Sequence, residues 1–291
     1  MNLSQIQNKL LTSKWMLQKS ELYAIWQQIE NRQAIRVGGL VGKIFGEPSF
    51  TNKKTALDNK TTNETTNNNN DNGYMAVITI SGILIKGESE DEMFTNIDAI
   101  TNELNMVAND NNCKSILLIF NSPGGETTGI EELGRLINNI DTILKPVYAW
   151  TETTMGSAAL WLGSQARNIG MTYSATIGSC GVYMMLLDLT KQLDNEGIKV
   201  NAFSAGKYKL MGHEFKPLDN DEKTILQSNV DKQHGQFKSV ILAKRPKVNS
   251  ECLEGLSYEG EDALVNNLVD CVCDNLDEYL EYLSGENKTS N

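Results

Sequence analysis

The chain has 291 residues, 40% of them apolar, enough for one large domain or two small ones around a substantial buried core. Its formal net charge of −11 is the opposite of the basic stripe that a nucleic-acid surface needs, so neither DNA nor RNA is an expected partner. The five cysteines, Cys113, Cys180, Cys252, Cys271 and Cys273, form no C-x-x-C pair, and with two histidines they point to a reduced compartment rather than to a zinc site.

Residues 1–50 read as a helical arm, because Leu22, Ile25, Trp26 and Ile29 fall at helical spacing on one apolar face. That face needs a surface to pack on, either its own domain or a neighbouring subunit. The N-terminal stretch M-N-L-S-Q-I-Q-N-K-L-L-T-S-K-W has no apolar core of the secretory kind, and no run approaches the roughly 18 apolar residues of a membrane span. A cytoplasmic protein without a membrane anchor is expected. Residues 51–73 turn to Asn, Thr and Lys, with Leu57 as the one apolar side chain larger than alanine, and read as a disordered linker.

Order resumes in a domain expected over 74–283, with a flexible tail at 284–291. M-A-V-I-T-I (75–80) reads as a buried strand, continued after a bend at Gly82. Residues 91–108 carry Phe94, Ile97, Ile100, Leu104 and Val107 at near-helical spacing. A strand at 115–120 follows, then a Gly-Gly turn, a helix with Ile130, Leu133, Ile137 and Ile140 on one face, and a strand at 146–150. Further strands are expected at 168–171 and 181–187, a long helix at about 219–243, and a turn and helix over 258–270 leading into a short strand. Strands alternating with amphipathic helices imply an α/β core of βαβ units around a mostly parallel sheet.

Three segments could together hydrolyse an amide, which requires a nucleophile, a proton acceptor and donors for the oxyanion. Ser157 lies among small residues in M-G-S-A-A, ahead of a short helix expected to run through Ala166. A serine near a helix N-terminus sits where free amides and the helix dipole favour negative charge. Taken alone, such a serine is more often a helix cap or a small packing residue. The turn N-S-P-G-G (121–125) could donate backbone N–H groups, and the amide of Ala158 would be a second donor. His213 and His234 have no evident acidic partner, so a Ser–Lys dyad is the alternative to a histidine base. S-A-G-K-Y-K (204–209) offers Lys207 and Lys209, between which position alone does not choose. Either would have to lose its proton near pH 7, well below an ordinary lysine pKa of about 10.4.

With these residues in view, the chain resembles the S49 peptidases, the signal peptide peptidase A family of the ClpP/crotonase-like superfamily. The resemblance runs from about Met75 to Val272, through M-A-V-I-T-I-S-G-I-L-I-K, L-L-I-F-N-S-P-G-G-E-T-T-G, M-G-S-A-A-L-W-L-G-S-Q-A, I-G-S-C-G-V, S-A-G-K-Y-K and S-Y-E-G-E-D-A-L-V-N-N-L-V-D. It implies a spiral of βαβ units, Ser157 as nucleophile and Lys209 as general base. It further implies Gly125 and Ala158 as oxyanion-hole donors, with Gly124 in support and Ser179 hydrogen-bonded to the lysine. No metal or cofactor is implied. A homo-oligomeric ring or dome, with the sites facing an enclosed space, is.

Within the family the phage capsid or prohead proteases are the most similar branch, on the block G-K-Y-K-L-M-G-H-E-F-K-P-L (206–218) and the arm S-K-W-M-L-Q. The expected function is then cleavage of scaffold or capsid proteins, and of the chain itself, inside a prohead in the host cytoplasm. Any scaffold is expected to be a separate protein. Cys180 replaces the usual Ile or Leu of G-S-x-G-V. Two other readings are a cellular signal peptide peptidase acting on short peptides and a catalytically silent assembly ring. A crotonase-like acyl-CoA enzyme would share the fold but would not account for the serine and lysine blocks together.

Overall fold

A computed structural model describes residues 15–17, 73–87 and 93–285. The apolar face from Leu22 to Ile29, the linker as far as residue 72 and the tail beyond Gly285 lie outside the described residues. The described part of the arm is a short strand, β1 (Trp15–Leu17), in place of the expected helix.

Strand β2 (Tyr74–Ser81) alternates, with Ala76, Ile78 and Ile80 buried while Val77 is exposed. The expectation of a wholly buried strand is therefore corrected: β2 is at the sheet edge and one of its faces meets solvent. At Gly82 the backbone adopts φ 76°, which glycine tolerates without a Cβ clash, and the chain turns into β3 (Ile83–Ile85) of a second sheet. Phe94 belongs to strand β4 (Phe94–Asn96) and not to the helix that follows. That helix, α1 (Ile97–Asn109), begins where the Asn96 side chain accepts from the Asp98 amide at 2.8 Å, and it buries Ile97, Ile100, Leu104 and Ala108.

The next units follow the expected order: β5 (Cys113–Ser122), β6 (Gly124–Glu126), and α2 (Ile130–Asn139) extended by a π turn over Ile140–Leu144. Then come β7 (Val147–Gly156), α3 (Ala158–Gly163), β8 (Asn168–Thr172) and β9 (Thr176–Gly178). The strand expected at 181–187 is absent. Pairing there is confined to a single bridge residue, Tyr183, and Met185 and Leu187 are exposed. After the short α4 (Thr190–Asn195) comes α5 (Asn220–Lys244), opened by a reciprocal capping box between Asp219 and Glu222. The C-terminal part holds β10 (Ser257–Glu259), α6 (Gly260–Val265), β11 (Cys271–Cys273) and α7 (Leu276–Ser284).

The main sheet runs β10-β9-β7-β5-β2, with β8 also on β7 and β11 on β8, and the smaller sheet runs β1-β6-β3-β4. All described pairings are parallel except β1 with β6 and β10 with β9. The mostly parallel α/β architecture expected from the sequence is what the chain adopts. Alternate residues of β5 face opposite cores. Ile116, Leu118 and Phe120 join the larger cluster with α1, α2, α3 and α5, whereas Leu117 joins Trp150, Cys271, Cys273 and Tyr279. Burial on both faces is what lets a parallel sheet read as a near-continuous apolar run.

Strand β7 forks. Its first half, Tyr148–Thr151, pairs with β8, and its last residues, Thr154–Gly156, pair with β9. Ser157 comes immediately after this fork.

Candidate active site

Ser157 stands between the end of β7 and the start of α3 with φ 50° and ψ −113°, a conformation that side chains other than glycine rarely adopt. Such backbone strain costs roughly 1–3 kcal/mol and persists only where the surroundings impose it. Here the Ser157 amide donates to the Gly178 carbonyl at 2.7 Å, and its carbonyl accepts from the Trp161 amide at 3.0 Å. The residue is pinned at both ends by its backbone while its side chain is left over. Ser157 is 0% exposed, and its Oγ has no hydrogen-bond partner among the described residues. Leaving a buried hydroxyl unpaired costs about 1–3 kcal/mol, so the position is doubly unfavourable for a residue with a purely structural role.

The Gly-Gly strand lies beside it. Parallel pairing of β5 with β7 puts Ser122 opposite Met155, two residues before Gly124 and Ser157 respectively. Gly124 has φ 110°, and a Cβ on Gly125 would fall 2.0 Å from the Leu84 carbonyl oxygen. Only glycine permits that approach of β6 to β3. Ser122, not singled out in the sequence, organises the turn: its hydroxyl donates to the Gly82 carbonyl at 2.6 Å and accepts from the Gly124 amide at 3.2 Å. The Gly124 amide is thereby occupied. Ala158 opens α3, and the first amides of a helix have no intrahelical acceptor.

Ser179 is also brought in. It follows Gly178, which pairs with Gly156, and it too has positive φ, 55°. Its amide donates to the Leu256 carbonyl at 2.7 Å, which ties this turn to the approach to β10. Thus Ser157 and Ser179 stand after the ends of adjacent parallel strands. Burial pushes the neighbouring Cys180 thiol up to about 12, so it stays protonated and is an inert packing group.

Lys209 is not brought to Ser157 within the single chain. It lies exposed in the turns that follow Gly206, its amide donating to the Gly206 carbonyl at 3.1 Å. Lys207 is held by the Tyr208 side chain and by Asp221 at 3.5 Å, contacts that raise its pKa, the wrong direction for a base. The histidines are engaged elsewhere: His213 stacks on Phe215 and His234 bonds the Leu253 carbonyl at 2.8 Å. No group of three or more His, Cys, Asp or Glu among the described residues is arranged to hold a metal ion. One further neighbour escaped the sequence reading altogether. Strand β1 pairs antiparallel with β6, with Trp15 opposite Glu126, Met16 opposite Gly125 and Leu17 opposite Gly124.

A serine at a strand-to-helix turn, beside a glycine strand and the first amides of a helix, has the groups that acyl transfer requires. Residues 140–286, just over half of the chain, match the model of peptidase family S49, and the chain belongs to that family. The Gly-Gly block lies upstream of the matched segment. A candidate protease of Methanocaldococcus jannaschii is 33% identical over 58% of this chain and 55% of its own length. Protease 4 of Haemophilus influenzae is 26% identical over 67% of this chain and 32% of that protein. Capsid assembly protease C of Escherichia phage lambda is 27% identical over 67% of this chain and 46% of that protein. The chain thus spans about half or less of these relatives. A solved membrane-bound stomatin-specific protease is 15% identical with a TM-score of 0.45, covering 72% of this chain and 84% of that one.

Proposed function

We propose that the chain is a serine endopeptidase in which Ser157 is the nucleophile and Lys209 the base. The observation that carries this is the Ser157 hydroxyl, buried without a partner on a strained turn beside the Gly-Gly strand. Neutral Lys209 Nζ takes the Ser157 proton as Oγ bonds to the peptide carbonyl carbon. The amides of Gly125 and Ala158 hold the resulting oxyanion, a role in which a single donor typically contributes about 3–4 kcal/mol. The C–N bond then breaks, with the lysine returning its proton to the leaving amine. Water, deprotonated by the same lysine, resolves the acyl-enzyme. Ser179 is the group that steadies the lysine, and none of these steps needs a metal or cofactor.

The dyad closes on assembly. The segment that carries Lys209 exposes Met185, Leu187, Ile198, Val200, Phe203 and Tyr208, a density of apolar surface that favours a self-associating ring or dome. Its substrates are polypeptides. We place it in phage head maturation, cutting scaffold or capsid proteins in the host cytoplasm, a reading supported by the likeness of 206–218 to the prohead branch and by the lambda relative. The likeness to Protease 4 favours the cellular alternative, cleavage of free peptides.

Intact-mass spectrometry of the chain beside Ser157→Ala and Lys209→Ala, each incubated with a candidate scaffold and with an unrelated denatured protein, tests the mechanism. Discrete fragments from the unsubstituted chain alone are expected, and three identical spectra would remove the dyad. Cutting of the denatured protein and not the scaffold would move the role to the cellular one.

A further inference from the structure

The pairing of β1 with β6 gives the arm a second meaning. Without β1, β6 would be an edge of the smaller sheet, since its other neighbour is β3. An edge strand presents unpaired N–H and C=O groups, a template on which an extended peptide adds as one more strand. That edge is made of Gly124, Gly125 and Glu126, the strand next to Ser157. The direction also matters. Because the pairing is antiparallel, the arm runs from opposite Glu126 towards Gly124, so its carbonyls approach the Gly-Gly end as the chain proceeds from Trp15 to Leu17. A polypeptide docked in the same direction would carry the bond between its residues opposite Gly125 and Gly124 past the Gly125 amide. With β1 in place, Ser157, Gly124 and Gly125 are all buried, which is how an occupied cleft looks.

We propose that Trp15–Leu17 occupies the substrate strand position of the site, so that the chain's own arm competes with incoming polypeptide. This rests on the peptidase reading for its kinetic consequence but not for the docking itself. A tethered strand acts at an effective concentration in the millimolar range, against substrates at micromolar levels, so it holds activity down without any change at Ser157. Substrate is then bound through its backbone on the side preceding the scissile bond. Extended, unfolded segments are the class of polypeptide that fits, because a folded strand has no free ladder to offer.

The test uses the full chain. Met16→Pro removes an N–H and a conformation that the ladder needs. The peptide T-S-K-W-M-L-Q-K-S, residues 12–20, is then supplied in trans. In a Ser157→Ala background, where no cutting occurs, hydrogen exchange at the amides of 125–126 is expected to speed up about tenfold with Met16→Pro and to slow again with the peptide. Restoration by peptide also shows that the variant is folded. With Ser157 present, Met16→Pro is expected to raise kcat/KM on an unstructured peptide substrate about tenfold with kcat unchanged, and the added peptide to raise KM. Unaltered exchange in the variant, or an unaltered or lower kcat/KM, overturns the proposal. Altered exchange restored by peptide, with no hydrolysis from any chain, keeps the docking and instead removes the peptidase reading.

Discussion

At the scale of single residues, the Ser157 hydroxyl is set apart by being buried without a partner. A capping or packing serine is worth its hydrogen bond, and its loss destabilises. A buried hydroxyl with no partner carries a desolvation cost that alanine does not. Ser157→Ala is therefore expected to raise unfolding stability by about 1 kcal/mol in urea titration while abolishing cleavage. A fall in stability would mark the hydroxyl as structural. Asp141 behaves in the opposite way. It is 5% exposed, accepts from the Val147 amide at 3.0 Å and pairs with Arg167 at 2.7 Å and Lys244 at 2.8 Å. Burial works to raise its pKa, but the hydrogen bonds from Lys244, Arg167 and Val147 outweigh it and hold the carboxyl below the usual range. A depressed pKa contributes stability that is present above the ordinary aspartate value, about 3.9, and lost as pH falls through the lower folded value. The acid limb of a stability–pH curve should therefore flatten in Asp141→Asn, with stability at pH 7 reduced by about 3 kcal/mol because Arg167 and Lys244 lose their buried partner.

Among elements, α7 buries Tyr279 fully, with Leu276, Leu280 and Leu283 packed beside it. Tyr279 stacks on Trp150 with ring centroids 4.9 Å apart, and its hydroxyl donates to the Asn168 side-chain oxygen at 3.0 Å. Gly170 makes room, since a Cβ there would come within 2.5 Å of the Tyr279 ring. Tyr279→Ala should cost about 3–5 kcal/mol in thermal or chemical unfolding and expose the α7 amides to exchange. Elements with long periodic patterns were legible in the sequence. The helices carrying Ile130 to Ile140 and Ile225 to Ile241, and the strands around Ile116 and Ile169, stand where spacing put them. Two of the three-residue strands were not. Thr176–Gly178 and Trp15–Leu17 are too short to show a period, and they are defined only by the strands they pair with. The apolar run at 181–187 misled for the converse reason, because apolar content alone does not make a ladder. In the site, the glycines and Ser157 were legible as motifs, whereas the role of Ser122 depends on a contact with Gly82, 40 residues away, that no local pattern encodes.

For the whole molecule, the proposed dyad ties Lys209 to the exposed apolar surface of its segment. Phe203 is 96% exposed, and an open groove lined by Met184, Leu186, Leu218 and Val230 runs between this segment and α5. Phe203→Glu is expected to weaken self-association by about 2 kcal/mol, roughly 30-fold in Kd, as read by sedimentation, and to lower cleavage in parallel. Mixing Ser157→Ala with Lys209→Ala chains asks the same question without touching that surface. Recovered cleavage would place the two groups on different copies, and its absence on one.

The turn bearing Ser179 is tied to Leu256, just before the strand that pairs with β9, so a serine read early by the ribosome waits for residues read late. Between Ser157 and Glu259 lie roughly 100 residues, which at about 5–20 residues per second take on the order of 5–20 s to synthesise. Throughout that interval the emerging polypeptide carries its arm and its serine but not the strand that completes the turn. The order of translation by itself therefore leaves the Ser179 turn untied until the rest of the sheet has been made.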